Sequence, residues 1–294
     1  MTRRIAAWTG VVLLVAFTVV LAGWRVNGGR WVRVETPSMG SRAPVGTLLW
    51  VKPVAFSSLR PGDLITFTPP RAHGVTYSHE VKKVYPDGTI STQGRITAPD
   101  PWRLRAGNVV GKAVMEWPGV GWLVLAAPVL VLGAVVVALV ASRVRNRDGR
   151  LPVVVIGASL VIVTALVVYR PLTRADRLSF VPVGTGARAT YVSTGLLPVR
   201  LTARGADPVV LADGHVGSVL TKHGTGVHDG RQFTVAVRPA IPFAWWIALV
   251  LCCFIPGLVG TARQRQRAVL DHKHRGATGV TARRAHLTAG NLPS

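Results

Sequence analysis

Four stretches without charge limit what this chain can fold into. Residues 5–24, 121–141, 151–169 and 239–262 contain no Asp, Glu, Lys or Arg. An α-helix rises about 1.5 Å per residue and the hydrocarbon of a bilayer is about 30 Å thick, so each stretch has the length of a membrane span. Composition agrees: 49% of the 294 residues are hydrophobic and 16% charged, against about 25% charged in soluble domains. The first stretch follows Met-Thr-Arg-Arg, as a secretory leader would. Its apolar region, however, exceeds the roughly 7–15 residues of a leader core, and no small-x-small cleavage pattern precedes Trp24, so a retained anchor is expected.

Charge placement sets the expected orientation. Of the groups behind the formal net charge of +23, Arg143, Arg145, Arg147 and Arg150 crowd the link between the second and third stretches, and Arg3 and Arg4 precede the first. Arg263, Arg265, Arg267, Lys273, Arg275, Arg283 and Arg284 follow the fourth. Short loops rich in Lys and Arg stay in the cytoplasm. The expected protein is therefore a polytopic protein of the cell membrane with both termini cytoplasmic. Its segments are the N-terminus and helix at 1–24, an outer domain at 25–118, a helix at 119–141, a basic inner loop at 142–150 and a helix at 151–169. A second outer module follows at 170–238, then a helix at 239–262 and a basic tail at 263–294. The outer segments are basic too, which suits an anionic lipid surface. No aromatic-basic recognition motif accompanies them, so the bilayer and not nucleic acid is the expected partner.

Cysteine content narrows the chemistry open to the outer segments. Cys252 and Cys253 are the only two, adjacent and inside the fourth stretch. The outer domains therefore have no disulfide framework, thiol nucleophile or cysteine-ligated zinc. His215, His223, His228 and Asp229 fall close together, but at no metal-ligand spacing, and no metal or cofactor is expected. Any chemistry there belongs to hydroxyls, imidazoles and carboxylates.

Between Val32 and Pro118, short apolar runs alternate with turn residues: TLLWV, RPGD before LITFT, and PDG between VKKVY and TISTQ. Such runs, rich in Val, Ile, Thr and aromatics and bounded by Gly, Pro and Asp, predict a mostly-β domain. The second outer segment repeats the pattern in LSFVPV, ATYVS, PVRLTA, DPVVLA and FTVAV, predicting a small β-rich module of unassigned role. Within VTYSHEVKKVY, alternation puts Val75, Tyr77, His79, Val81 and Tyr85 on one strand face and Ser78, Glu80 and Lys82 on the other. His79 thus stands in an apolar row, where an isolated histidine is ordinarily a core residue. Ser38, between Pro37 and Met39, has the composition of a turn. Neither is informative alone.

Taken in order, SMGSRAPVG, LRPGDLITF, YSHEV, TAPDPW and NVVGKAV resemble type I signal peptidase, in its SipW-like and endoplasmic-reticulum-type branch, over roughly residues 31–118. The resemblance implies a signal-peptidase-like catalytic domain in which Ser38 is the nucleophile, His79 the general base and Asp100 its acidic partner. Thr36 and the Ser38 backbone N–H are the implied oxyanion donors. It implies that signal-peptide-bearing preproteins are the substrates, with the protein export channel as an additional candidate partner. Three positions depart from the family pattern: Arg95 follows Gly94 where an acidic residue is common, Glu80 follows the histidine where arginine is frequent, and Gly40–Ser41 replaces a usual Glu-Pro.

A serine hydroxyl needs a positioned base at neutral pH. An imidazole, with a reference pKa of about 6.5, serves without the strong desolvation that a lysine near 10.4 requires. Lys82 points to the opposite strand face, Lys83 lies about 13 Å along the strand at ~3.3 Å per residue, and His73 sits in the Pro-Gly-rich loop PPRAHG. The expectation is a membrane serine endopeptidase hydrolysing a peptide bond through an acyl-enzyme. The competing expectation is a non-catalytic envelope scaffold that keeps the fold, with Arg95 as the feature favouring it.

Overall fold

The computed structural model describes residues 2–70, 74–145, 147–169, 171–184, 186–203, 205–221, 235–244 and 247. The chain forms two compact units, one comprising Met1–Leu132 and Val161–Ala240, the other Gly133–Leu160 and Ile241–Ser294. Three long helices occur among the described residues: α1 (Thr2–Val26), α2 (Val120–Arg143) and α3 (Arg147–Tyr169).

Two helical stretches among the described residues, Val120–Arg143 and Gly149–Tyr169, are long and apolar enough to cross a membrane. Only 6% of the most apolar window of each is buried, and Leu123, Val131, Leu132, Leu160 and Val167 are all more than half exposed. A buried core helix of a soluble protein would be covered. Two such helices, not the four expected, are thus found. α1 lies where the first span is expected; of the fourth, 239–262, only 239–244 and 247 are described, with Pro239 ending a strand instead of starting a helix, and the basic tail lies outside the described residues. In the second unit Gly157 meets α2 so closely that a Cβ there would stand 2.7 Å from Val137 Cγ2. Small residues allow such approach between apolar helices.

The segment expected at 25–118 forms a six-stranded antiparallel sheet. Its strands are β1 (Arg30–Arg33), β2 (Leu48–Lys52), β3 (Leu64–Phe67), β4 (Tyr77–Val84), β5 (Ile90–Gln93) and β6 (Val109–Trp117), in the order β1-β2-β6-β3-β4-β5. The turn chemistry is local. In RPGD, Asp63 accepts the Arg60 N–H at 2.9 Å and pairs with Lys112 of β6 at 2.6 Å. In PDG, Gly88 takes φ +74° and Asp87 accepts the Thr89 N–H at 3.0 Å, closing the β4–β5 hairpin. Two apolar clusters flank the sheet: Val34, Met39, Ala43, Leu49, Val51 and Leu64 in one, Leu59, Ile65, Phe67, Val81, Ile90 and Leu104 in the other. Of the strand expected at Val75–Tyr85, β4 covers Tyr77–Val84; Val75 and Tyr77 are exposed, and the inward row is kept only at His79 and Val81. A register shift between Val81 and Lys83 then leaves Lys82, Lys83 and Val84 exposed.

The module expected at 170–238 builds two three-stranded sheets from β7 (Ala175–Val183), β8 (Gly186–Ser193), β9 (Val199–Thr202), β10 (Val209–Leu211), β11 (Val216–Thr221) and β12 (Ala236–Pro239). Their orders are β11-β8-β7 and β10-β9-β12, around a core of Val199, Leu201, Leu211 and Val219. Strands β1 and β11 have little signal of their own in the sequence. β1, Arg-Trp-Val-Arg, is a four-residue edge strand without alternation, and β11 carries Gly217 where a Cβ would stand 2.5 Å from Leu211 Cδ2.

Candidate active site

Ser38 is held by a single 3-10 turn, Pro37–Met39, entered from extended backbone at Thr36 (φ −120°, ψ 150°). Pro37 has a ring-locked φ suited to the first helical position. Met39, fully buried, pins the turn into the first apolar cluster. Gly40 closes it, donating its N–H to Pro37 O at 2.8 Å with φ +54° and ψ −138°, a conformation that favours glycine. Gly94 backs the turn: a Cβ there would stand 2.7 Å from Ser38 O and 3.1 Å from Ser38 Cβ, and Ile96 N–H donates to Ser38 O at 3.1 Å. Ser38 itself remains partly exposed.

His79 projects from β4 on the buried face, 5% exposed, with the rings of Phe67 (6.1 Å) and Tyr77 (5.9 Å) edge-on to it. Its Nε2 lies 3.0 Å from Ser38 Oγ and its Nδ1 lies 2.7 Å from Asp100 Oδ2. Asp100 reaches that point because the chain after β5 turns back on itself, with bridges Gln93↔Pro99 and Ile90↔Leu104. Asp100 N–H donates to Thr92 O at 3.0 Å, and Thr92 Oγ1 donates to Asp100 Oδ2 at 2.6 Å. The same loop places Trp102 against Tyr77, ring centroids 5.8 Å apart.

These contacts define the protons. An ionised carboxylate only accepts, so Nδ1 carries the hydrogen toward Asp100. In the neutral ring Nε2 is then an acceptor, and the Ser38 hydroxyl donates to it. The arrangement has the geometry of a nucleophile, a base and an orienting acid. Thr36 Oγ1 lies 3.4 Å from Ser38 Oγ, on the exposed side of the turn.

Each expected site residue is thus placed: Ser38, His79 and Asp100 come together, and Thr36 borders them. Arg95, where an acidic residue is common in the resembling family, is paired with Glu80. Its Nε donates to Glu80 Oε1 at 3.1 Å, and Glu80 also pairs with Arg42, which reaches Glu116 at 3.4 Å. Lys83 lies over the Tyr85 ring, 5.0 Å from Nζ to centroid, and Lys82 is exposed. His73 lies outside the described residues, as do His223, His228, Asp229, Cys252 and Cys253. His215 is exposed and donates from Nδ1 to Asp213 O at 3.1 Å. Among the described residues no three His, Cys, Asp or Glu side chains gather as metal ligands. Thr92 and Gly94 escape sequence reasoning. The alternation of TISTQ marks Thr92 as inward-facing, but nothing in it identifies Asp100 as its partner.

No protein-family model matches the chain, and no curated protein is significantly similar to it.

Proposed function

We propose that the protein is a membrane-bound serine endopeptidase of the signal-peptidase type, cleaving signal peptides from exported preproteins at the outer membrane face. The observation that carries the reading is the unbroken chain Ser38 Oγ, His79 Nε2, His79 Nδ1, Asp100 Oδ2, with contacts of 3.0 and 2.7 Å in a site where the base is buried and the hydroxyl is reachable.

In this reading Ser38 Oγ attacks the scissile carbonyl while its proton passes to His79 Nε2. The tetrahedral oxyanion is stabilised by the Ser38 N–H and the Thr36 hydroxyl, the leaving amine takes the proton from Nε2, and an acyl-enzyme remains. Water, deprotonated by the same imidazole, hydrolyses the ester and restores Ser38. Asp100 holds the tautomer and stabilises the transient imidazolium, and Thr92 in turn holds Asp100. The apolar helices hold this domain beside the bilayer, where a signal sequence presents its cleavage point. The four-span topology, with both termini cytoplasmic, belongs to the same proposal.

The scaffold alternative draws on Arg95. That side chain is engaged with Glu80, and Asp100 keeps its own link to His79, which favours the enzyme. The test is cleavage of preproteins by the purified protein in detergent, with Ser38→Ala and His79→Ala as controls. Cleavage that both substitutions abolish supports the proposal. No cleavage of any of several preproteins, or undiminished cleavage by Ser38→Ala, defeats it.

A further inference from the structure

The second module touches the turn that carries Ser38. Between β10 and β11 the chain reverses through Ala212–His215, closed by His215 N–H to Ala212 O at 3.0 Å. This turn is riveted to the end of β8 in both directions, Gly214 N–H to Ser193 O and Ser193 N–H to His215 O, each 3.0 Å. At its tip Gly214 (φ +71°) lies against the backbone of residues 40 and 41. A Cβ on Gly214 would stand 2.5 Å from Gly40 O and 2.7 Å from Ser41 Cα, while one on Gly40 would stand 2.9 Å from Ile96 Cγ2. Two glycines from distant parts of the chain therefore meet backbone to backbone, two residues beyond Ser38. The module's other positive-φ glycines among the described residues, Gly184 (φ +57°) and Gly205 (φ +74°), have nothing within 4 Å of their would-be Cβ. Closeness at Gly214 is thus not a general property of glycine turns in this module.

We infer that the Asp213–His215 turn of the second module is a positioning element of the Ser38 site. With Gly94 and Ile96 it confines the turn that aims Ser38 Oγ at His79. This rests on the peptidase reading for its catalytic meaning; the contact itself does not. The reasoning is geometric. Gly40 closes the Ser38 turn through its N–H, and its carbonyl is the atom Gly214 presses upon. A displacement of that peptide is passed to Ser38, whose hydroxyl must remain within hydrogen-bond reach of Nε2. Misplacement by about 1 Å can cost on the order of 100-fold in rate. The module would thereby be a part of the active site supplied from beyond two helices.

The test uses the full-length protein in detergent, with Gly214→Ala, Gly214→Asn and Gly205→Ala. Asn tolerates positive φ better than Ala, so Gly214→Asn isolates the added Cβ from backbone strain. Two readouts are taken: amide hydrogen exchange across residues 37–42, and the rate at which a small fluorophosphonate labels Ser38. Both Gly214 variants are expected to raise exchange in that segment and to slow labelling tenfold or more, while Gly205→Ala changes neither. Unaltered exchange in the Gly214 variants, or an equal effect of Gly205→Ala, overturns the inference. Raised exchange together with an unaltered protein that the phosphonate never labels would sink the peptidase reading, and the positioning role with it, leaving only the contact.

Discussion

Thr92 Oγ1 donates to Asp100 Oδ2 at 2.6 Å, the same oxygen that accepts from His79 Nδ1 at 2.7 Å. The carboxylate is held from two directions, and its own N–H is tied to Thr92 O. A buried carboxylate with a single donor could rotate away from the imidazole; this one has little freedom to do so. Charge-assisted hydrogen bonds are worth about 1.5–3 kcal/mol. Thr92→Val is therefore expected to lower kcat about tenfold or more with little change in KM, and Thr92→Ser to restore most of it. Asp100→Asn is expected to be more severe, on the order of 10³–10⁴-fold, because the amide can favour the wrong tautomer. Steady-state kinetics on a preprotein decides. A Thr92→Val enzyme as active as the parent would remove Asp100 positioning from the mechanism.

Acid should switch the reaction off. Protonation of His79 removes the lone pair that receives the Ser38 proton, so kcat/KM is expected to decline on acidification. The measurement is a pH–rate profile between pH 5 and 8 under conditions where the protein stays folded. A profile flat across that interval would exclude His79 as the base.

The second module carries a charge held at a disadvantage. Asp213 is partly buried, its Oδ1 has no partner, and burial pushes its carboxyl up to about 6, opposed by the Gly214 amide and by His215. The folded state thus holds its proton more tightly than the unfolded chain, whose value is 3.8. Below about pH 4 both states are protonated and there is no penalty. Stability is lost as pH rises from about 4 to 6, and the full cost persists above. Allowing for the solvent that reaches this side chain, that cost is ~1–2 kcal/mol. Asp213→Asn is expected to raise the unfolding temperature at pH 7 and to leave it nearly unchanged at pH 4. An equal shift at both pH values would contradict the ionisation account.

Val131 lies near the middle of α2 and is 63% exposed. In a membrane span that surface faces lipid, and an arginine there costs about 2.5–3.5 kcal/mol. Val131→Arg is expected to lower the fraction of protein that resists alkaline extraction from membranes severalfold. Extraction identical to that of the parent would argue against α2 as a span.

Much of the site is legible in the residues themselves. The inward direction of His79 follows from strand alternation, but of the expected row Val81 alone is buried with it, while Val75 and Tyr77 are exposed. Ser38, between Pro37 and Met39, reads locally as a turn residue, and only the resemblance of the ordered motifs singles it out. Asp100 stands between two prolines, yet no local rule distinguishes a turn aspartate from one reaching a histidine 21 positions earlier. Arg95 misleads for the same reason: its position beside Gly94 suggests a lost carboxylate, and its side chain in fact turns to Glu80.

The chain alone determined two apolar helices of span length, α2 and α3, and most of the described strands, because length, alternation and turn residues act over a few neighbours and outweigh context there. It could not determine that β4, the 36–40 turn and the loop after β5 would converge, nor that Gly214 would rest on Gly40. Those meetings join residues far apart in sequence, and they arise only when buried side chains such as Met39, Phe67 and Leu104 pack one arrangement of the strands more closely than any other.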